Sequence, residues 1–419
     1  MKESIKVDEG AVAPPVPRQD YVRVGAFYVN SRLNLLQLSR YLWEQSEQFL
    51  GSEGKARVTS GRLSRVVPPP VLKATRIAKH IVQFVRARAG LRSSAGARDG
   101  ELLALPVAGD LALTRRSGAV KILDMQRKRV YTLLRNEEEK AKLSDRVELT
   151  KSIAHFPFAP RIEEVALEQG YFSEEFIGGR HPINFAGCKD DYAQVYQPLL
   201  VQFLKAIPLR WVDARNHVKS LHEDIVAPDG LLARMDPRDR QKVVSFTEDI
   251  FGRLSDVDGK IPLVLSHGDY FSGNIVIEGE VHRAIDWANM GYRVPLHDLY
   301  YLFMNHCCRV LDQEALERRA YKAIALLREA LQAKDRERFA ELADYITTKD
   351  RFRWIFYLEC VQVPLVRCSD PNDRYLSSML ERISWFRDYE RALSVRDEGK
   401  RSSATDDGLD GSKAVDSRG

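Results

Sequence analysis

Three oxygen-bearing side chains between residues 264 and 287 have the types and the spacing that phosphoryl transfer needs. An apolar run at 264–266 leads into His267-Gly268-Asp269, and Asn274 follows Asp269 by five positions. The chain then turns at Gly279-Glu280, and the returning strand ends at Asp286. One carboxylate and one amide oxygen suit Mg²⁺, which prefers oxygen ligands. The other carboxylate is left to accept a proton, so the set predicts phosphate transfer from ATP to a hydroxyl.

The elements that must position these residues are a strand, a loop and a hairpin. A strand that includes 264–266 delivers Asp269 into the loop, and Asn274 ends the loop where the next strand begins. Glycine at the first position of a two-residue turn favours type II′, which returns the chain antiparallel. We therefore expect the hairpin to bring Asp286 back beside Asn274.

The surrounding sequence predicts an α+β protein. Short apolar runs with one charged helical stretch, 137–153, indicate a small antiparallel sheet over 102–178. The apolar runs of this sheet lie at 111–113, 119–123, 130–134, 163–167 and 171–176. After Gly178-Gly179 the pattern becomes helical, with helices expected near 209–224, 236–254, 297–309, 313–333, 336–366 and 372–394.

The ordered combination of motifs is more specific than any one of them. An Asp separated from an Asn by four residues is common, but here it follows His267-Gly268 and precedes Ile285-Asp286-Trp287 and 295–299, a Pro-x-x-Asp-Leu element. The spacing is that of the kinase catalytic loop, with Gly268 in the place of its arginine. These elements closely resemble the aminoglycoside phosphotransferase and choline kinase family. The resemblance is strong over 262–303. Over about 102–395 it rests on the pattern of strand-like and helical segments alone.

The resemblance implies a two-lobed protein-kinase-like fold and a small-molecule kinase that uses ATP and Mg²⁺. Asp269 is then the catalytic base, and Asn274 and Asp286 bind Mg²⁺. His267 has a structural role in the loop, and Asp298 is a buried anchor for the loop backbone. The acceptor is a hydroxyl of a small molecule such as a sugar, an amino alcohol, a glycan or a lipid headgroup.

The lysine that binds the ATP phosphates has two alternative placements. In one, Ala119-Val120-Lys121-Ile122 is the lysine strand and Lys121 serves the phosphates. In the other, 130–133 is that strand, and Thr132 stands where lysine is expected. We favour Lys121, with Glu148 on the charged helix as its partner. A glycine-rich loop before Lys121 is missing from the sequence, so a kinase-like binding or regulatory protein without catalysis is the alternative function.

The first hundred residues lie outside the resemblance and carry an uneven charge. Residues 51–100 contain 11 Lys/Arg and 2 Asp/Glu, whereas the whole chain of 419 residues has a net charge of +5. We divide the chain into a basic extension with two amphipathic helices at 1–100, an N-lobe at 101–178, a C-lobe at 179–395 and a disordered tail at 396–419. The predicted helix 71–89 is expected to dock on its own protein, with an anionic membrane surface as the alternative. Nucleic acid ranks last as a partner, because the basic block lacks interleaved aromatics.

Composition excludes several other classes of protein. The chain has no apolar run near the roughly 20 residues of a membrane-spanning helix. Its first residues lack the apolar core of a secretory signal. Five cysteines without a CxxC pair indicate neither a disulfide framework nor a zinc site. A cytoplasmic protein is expected, with peripheral membrane contact as the alternative stated above.

Overall fold

The computed structural model forms two compact units. The first contains Met1–His181 and Val276–Ile285, and the second contains Pro182–Ile275 and Asp286–Gly419. The structure describes residues 19–25, 27–44, 69–92, 102–114, 119–134, 143–182, 192–206, 209–307, 313–333, 342, 349–368, 371 and 374–406.

An antiparallel sheet of eight strands organises the first unit. The strands follow the spatial order β3-β1-β2-β4-β5-β6-β8-β7, in which all neighbouring strands are antiparallel. They are β1 (Gln19–Val24), β2 (Phe27–Asn30), β3 (Leu102–Leu105), β4 (Leu111–Thr114), β5 (Val120–Asp124), β6 (Arg129–Leu133), β7 (Ile162–Ala166) and β8 (Tyr171–Glu175). The five strands predicted from the apolar runs are β4 to β8.

Two further strands, β1 and β2, come from the part of the chain that was expected to lack a sheet. They form a tight hairpin in which Val24 pairs with Phe27, and Gly25 adopts a positive φ of 63° in the turn. Valine and aromatic residues, which are enriched in strands, lie on both sides of Gly25. The extension 1–100 therefore contributes two strands to the sheet as well as its helices.

Two helices cover one face of this sheet. Helix α1 (Leu35–Glu44) begins after Asn34, whose side-chain oxygen accepts the Gln37 N–H at 2.8 Å. Helix α2 (Pro69–Arg92) contains the predicted basic helix. Leu38 and Leu42 of α1 and Phe84 of α2 join the buried side chains of β1, β2, β4 and β5 in one apolar cluster. The docking of α2 on its own protein is thus observed for one side of the helix.

A third helix is the next described element after β6. Helix α3 (Leu143–Ile153) packs Leu143 and Val147 against Ala119 and Phe172 of the sheet. It occupies the second half of the predicted stretch 137–153, and the first half lies outside the described residues. In the sheet, Lys121 of β5 is the direct cross-strand partner of Thr132 of β6. Directly paired residues project from the same face of a sheet.

The hairpin next to the predicted catalytic loop belongs to the first unit. Strands β11 (Ile275–Glu278) and β12 (Val281–Ala284) are joined at Gly279, which has the positive φ of 61° that a type II′ turn requires. Arg180 and Ile277 exchange two backbone hydrogen bonds, of 2.8 and 3.1 Å. These contacts attach the hairpin to the first unit, although the hairpin follows residue 178 in the sequence.

An ion pair secures the hairpin in the first unit. Both guanidinium ends of Arg283 donate to the Glu175 carboxylate, at 2.8 and 2.9 Å, and Nη2 also donates to the Ala159 carbonyl at 2.8 Å. The hydrogen bonds from Arg283 lower the pKa of Glu175 to about 2, against a partial opposing effect of burial. The pair is therefore a charge-assisted, bidentate contact.

Stability of the first unit is expected to fall in acid because of this ion pair. A depressed carboxyl pKa stabilises the fold at pH values above the unfolded pKa of 4.5, and the contribution is lost as the pH falls toward about 2. Glu175→Gln should lower the free energy of unfolding by about 2 kcal/mol at neutral pH and flatten this acid dependence. Urea denaturation at a series of pH values measures both effects. Asp249→Asn, which breaks an exposed pair with Arg253, is the control and should change little.

The second unit is mainly helical around a short sheet in the order β13-β10-β9. Its strands are β9 (Arg210–Asp213), β10 (Lys260–Ser266) and β13 (Gly291–Arg293). Its helices are α4 (Gln197–Ala206), α5 (Ala214–Val226), α6 (Leu231–Arg234), α7 (Pro237–Arg253), α8 (His297–Tyr301), α9 (Gln313–Gln332), α10 (Lys349–Arg367) and α11 (Arg374–Asp406). Short π-helical segments at Tyr192–Tyr196 and Leu302–Cys307 precede α4 and extend α8.

The last helix is longer than the sequence predicts. A disordered tail is expected from residue 396, but α11 continues to Asp406. Helix propagation adds one hydrogen bond for each residue that is fixed, so a packed helix extends into a charged segment that has no proline. Residues 407–419 lie outside the described part of the chain.

The predicted fold class is confirmed. The first unit is an antiparallel sheet with helices on it, and the second is mainly helical, which together make an α+β protein. None of the helices in the described ranges combines the length and the apolar content that crossing a bilayer requires.

Candidate functional site

A short loop after β10 holds the first part of the site. His267 is completely buried, and its Nδ1 accepts the Asp269 N–H at 3.2 Å. The backbone N–H groups of His267 and Gly268 donate to the two carboxylate oxygens of Asp298, at 2.8 and 2.9 Å. Asp298 itself is 4% exposed. This arrangement supports the anchor role expected for Asp298, since a buried carboxylate that accepts two N–H groups fixes the backbone between them.

Gly268 is required by the conformation of this loop. Its φ is +78°, and a methyl group at this position would overlap the Asn289 carbonyl oxygen and the Arg293 guanidinium. The Arg293 side chain is buried and donates from Nη2 to that same carbonyl at 2.8 Å. No room is left for the arginine that kinase loops of this spacing have in place of Gly268.

Asp269 and Asn274 contact each other directly. The Asn274 Nδ2 group donates to the Asp269 carbonyl oxygen at 2.9 Å and to its Oδ2 at 3.0 Å. The 3₁₀ turn Ser272–Asn274 places the amide for these two bonds. Both bonds use Nδ2, and the amide oxygen of Asn274 takes part in neither of them.

Tyr301 is a site residue that sequence reasoning missed. Its hydroxyl donates to Asp269 Oδ1 at 2.8 Å, so each oxygen of the Asp269 carboxylate accepts one side-chain hydrogen bond. Tyr301 lies three residues after Asp298 on the same short helix, α8. Residues at i and i+3 share a helix face, so an i+3 tyrosine after the Pro-x-x-Asp-Leu element was the available signal.

A second buried carboxylate holds α8 in place. Glu359 of α10 accepts the Val294 N–H at 3.1 Å and the His297 Nδ1–H at 2.7 Å. Burial alone raises the pKa of Glu359, but His217 and His297 outweigh it and hold the value at about 2. Burial lowers the pKa of His297, which therefore donates as a neutral imidazole. The Glu359 carboxylate thus holds α8, and α8 supplies Asp298 and Tyr301 to the loop.

The electrostatics of Asp269 are balanced between opposing effects. Burial raises the pKa of Asp269 above its usual value, and the nearby negative charge of Asp286 raises it further. Hydrogen bonds from Tyr301 and Asn274 and the proximity of His267 lower it. A base is most effective when its pKa approaches the working pH, so a raised value suits proton acceptance.

Asp286 occupies an unusual backbone conformation. Its φ and ψ are 64° and 55°, in the left-handed region that non-glycine residues rarely adopt. Such conformations cost about 1–2 kcal/mol and recur at functional sites. The strain and the repulsion toward Asp269 fit a position whose carboxylate faces a cation.

The donor set fits Mg²⁺ rather than a fully enclosed metal. Within the described ranges, no group of three or more His, Cys, Asp or Glu side chains is arranged to hold a metal ion. Mg²⁺ is commonly bound by one or two protein oxygens and completes its shell with waters and phosphate oxygens. The Asn274 amide oxygen and the Asp286 carboxylate are the two protein oxygens that the sequence predicts for such a site.

Lys121 and Glu148 both lie in the first unit. Lys121 is half-buried on β5 opposite Thr132, which is 2% exposed. Glu148 is exposed on α3, and its carboxylate contacts Lys151 at 3.0 Å. A partnership between Lys121 and Glu148 stays a prediction.

Removing the Tyr301 hydroxyl should shift the pH dependence of the reaction. A hydrogen bond to the ionised carboxylate lowers its pKa, so Tyr301→Phe should raise the pKa of Asp269. The acid limb of the kcat profile should then move to higher pH by about one unit. Tyr270→Phe is the control, because the Tyr270 hydroxyl donates to the Tyr196 carbonyl at 2.6 Å instead. An unchanged profile in Tyr301→Phe would show that the hydroxyl does not act on the reacting carboxylate.

Comparison with known proteins places this site in a family context. Residues 175–342 match the model of the family described as "Phosphotransferase enzyme family". No curated protein sequence is significantly similar to the chain. The resemblance inferred from the motifs is therefore confirmed for 175–342, which include Asp269, Asn274, Asp286 and Asp298.

Solved structures with a similar chain path have low sequence identity. A choline kinase from Cryptosporidium parvum Iowa II is 9% identical, with a TM-score of 0.43, over 70% of this chain and 89% of that one. A macrolide 2'-phosphotransferase type I is 14% identical, with a TM-score of 0.41, over 71% and 97%. An ethanolamine kinase from Plasmodium vivax is 14% identical, with a TM-score of 0.37, over 67% and 80%. The substrates in these names are those of the neighbours.

Proposed function

We propose that the protein is an ATP-dependent phosphotransferase that moves the γ-phosphate to a hydroxyl of a small molecule. Asp269 is the base, and Asn274 and Asp286 are the residues that hold Mg²⁺. In this proposal residues 101–178 and 179–395 are the two kinase lobes, 1–100 are an extension, and the protein acts in the cytoplasm, where ATP is available. The family match over 175–342 supports the reaction class.

The hydrogen bonds on Asp269 are the observation that best supports this function. Tyr301 and Asn274 fix the carboxylate by one bond on each oxygen, at 2.8 and 3.0 Å. Each carboxylate oxygen has a second lone pair, so Asp269 keeps the capacity to accept the proton of an acceptor hydroxyl. A base held in one orientation is what positions a hydroxyl for attack on a phosphoryl group.

Each residue then has a distinct task. Asp269 orients the acceptor hydroxyl and takes its proton as the bond to phosphorus forms. His267 and Asp298 keep the loop backbone in place through the contacts described above. Bound Mg²⁺ would neutralise the phosphate charge, and Asn274 and Asp286 would hold it.

Lys121 is proposed as the lysine that binds the ATP phosphates. The helix α3 follows β6, which favours β6 as the strand that carries the lysine in kinases, yet this strand has Thr132 there. Lys121 is the direct partner of Thr132 on the neighbouring strand. Cβ atoms of such partners lie about 4.5–5.5 Å apart on one face, so both placements lead to the same place on the sheet.

A relocation experiment tests this assignment. Lys121→Ala should weaken ATP binding and lower kcat/KM by about 10²-fold, the scale of losing one electrostatic contact to the transferred group. Lys121→Ala/Thr132→Lys returns a lysine to the same sheet face and should recover part of the loss. A double variant no better than Lys121→Ala, with the fold intact by circular dichroism, would refute the assignment.

A catalytically inactive nucleotide-binding or regulatory protein is the second candidate function. The missing glycine-rich loop before Lys121 favours it. Two experiments distinguish the candidates. The first is titration of ATP with and without Mg²⁺, on the wild type and on Asp286→Asn. The second measures ADP release in a screen of hydroxylated compounds. Metal-dependent binding lost in the variant, with acceptor-dependent turnover, supports the enzyme. Binding without turnover for any acceptor supports the regulatory protein.

A further inference from the structure

The outward sides of α1 and α2 carry an unusual share of the exposed apolar surface. Within the described residues, eleven large hydrophobic side chains are exposed, and six of them lie on these two helices. Leu36 is 82% exposed, which is the highest value among them. The other five are Leu35, Trp43, Val71, Val82 and Val85, each between 44% and 51% exposed. Single exposed hydrophobics are ordinary, but six on two contacting helices suit an interaction surface.

Five of these side chains lie away from the sheet, whereas Leu35 is on the same side of α1 as Leu38 and Leu42. Leu38 and Leu42 of α1 and Ile77 and Phe84 of α2 point into the same apolar cluster over one sheet face. Leu36 and Trp43 are seven residues apart and therefore share the opposite side of α1. On α2 the exposed residues follow the same helical spacing, at Val71, Thr75, Ala78, Val82, Val85 and Ala89. We call the exposed sides of both helices the N-terminal apolar face.

The charged residues of α2 have one sign. Helix α2 contains six Lys and Arg residues and no Asp or Glu. Lys79 and Arg86 are exposed and lie seven residues apart, along one border of the apolar stripe. A helix with this pattern lies in the plane of a membrane surface, with apolar side chains at the acyl boundary and cationic side chains reaching anionic headgroups.

We propose that the N-terminal apolar face docks the protein onto an anionic lipid bilayer. Leu36, Val82 and Val85 insert at the headgroup boundary, and Lys79 and Arg86 contact lipid phosphates and carboxylates. The complementarity of an all-cationic border with an anionic surface selects a lipid partner over a protein with mixed charges. This inference concerns the first unit alone and is independent of whether the chain transfers phosphate.

Flotation of the full-length protein with vesicles tests the proposal. The wild type should bind vesicles of phosphatidylcholine with phosphatidylserine and should not bind phosphatidylcholine alone. Lys79→Gln/Arg86→Gln should weaken binding by about 30-fold, because each basic residue near the surface contributes roughly fivefold. Leu36→Ser/Val82→Ser should weaken it by tenfold or more, on the order expected for removing inserted apolar side chains.

Two control variants test whether a loss of vesicle binding is specific to the N-terminal apolar face. Arg215→Gln/Lys219→Gln removes the same charge from the exposed side of α5, and Leu167→Ser removes an apolar side chain that is 45% exposed in a turn of the first unit. Both should bind vesicles as the wild type does, and all variants should have the same Tm as the wild type. The proposal is overturned if the wild type ignores anionic vesicles, or if controls and test variants lose binding equally. It is also overturned if the face instead mediates self-association, seen as a dimer that Leu36→Ser dissociates.

Discussion

Asp269→Asn is expected to lower kcat for phosphate transfer by about 10²- to 10⁴-fold, the range that a positioned general base contributes. Asparagine has the same shape as aspartate but cannot accept the hydroxyl proton at neutral pH. The bonds from Tyr301 and Asn274 impose a fixed orientation on this side chain, so its replacement removes a preorganised base. The measurement is kcat with the acceptor found by the screen, at saturating ATP.

Controls for this substitution separate chemistry from binding and folding. The Kd for ATP should change much less than kcat, because the proposed task of Asp269 concerns the acceptor. Asp256→Asn, an exposed aspartate of the second unit, should leave kcat unchanged. Turnover of Asp269→Asn within a few-fold of the wild type would reject Asp269 as the base.

Gly268→Ala is expected to be the most destabilising single substitution in the loop. The left-handed backbone costs an L-residue about 1–2 kcal/mol, and the overlap with backbone at Asn289 adds a further ~1–3 kcal/mol. We therefore expect the free energy of unfolding to fall by about 3–4 kcal/mol, with loss of activity because Asp269 is displaced. Equilibrium denaturation followed by tryptophan fluorescence measures the change.

Gly259 supplies a closely matched control for this prediction. It has the same φ of +78°, but no atom lies within 4 Å of the position that a methyl group would take. Gly259→Ala isolates the backbone effect and should cost about 1 kcal/mol, with activity retained. Equal losses in the two variants would mean that backbone strain alone, and not contact with Asn289, determines the requirement for glycine at 268.

The chemistry of the site was accessible from the sequence because it lies on a short, continuous segment. Asp269, Asn274 and Asp286 fall within eighteen residues, and local turn rules place them on a strand, a loop and a hairpin. The five strands β4 to β8 were predicted for a similar reason, since each is an apolar run between turn residues.

Contacts between distant parts of the chain could not be predicted. Tyr301 reaches Asp269 across 32 positions, and Glu359 reaches His297 across 62. The only local signal for Tyr301 was its position three residues after Asp298 on one helix, and core tyrosines share such spacings. Strands β1 and β2 were missed because they pair with β3 and β4, and their role depends on partners about eighty residues away.

The position of β2 in the sheet determines whether deletion of the N-terminal region can reveal the role of that region. Strand β2 pairs with one edge of β4, so removal of the first hundred residues would expose a row of unsatisfied backbone groups on β4. The same truncation would uncover Leu111 and Leu123, which are buried beneath α1 and α2. An exposed apolar edge strand templates pairing with other chains. A truncated protein would therefore aggregate for reasons unrelated to its biological role, and single side-chain replacements are the informative route.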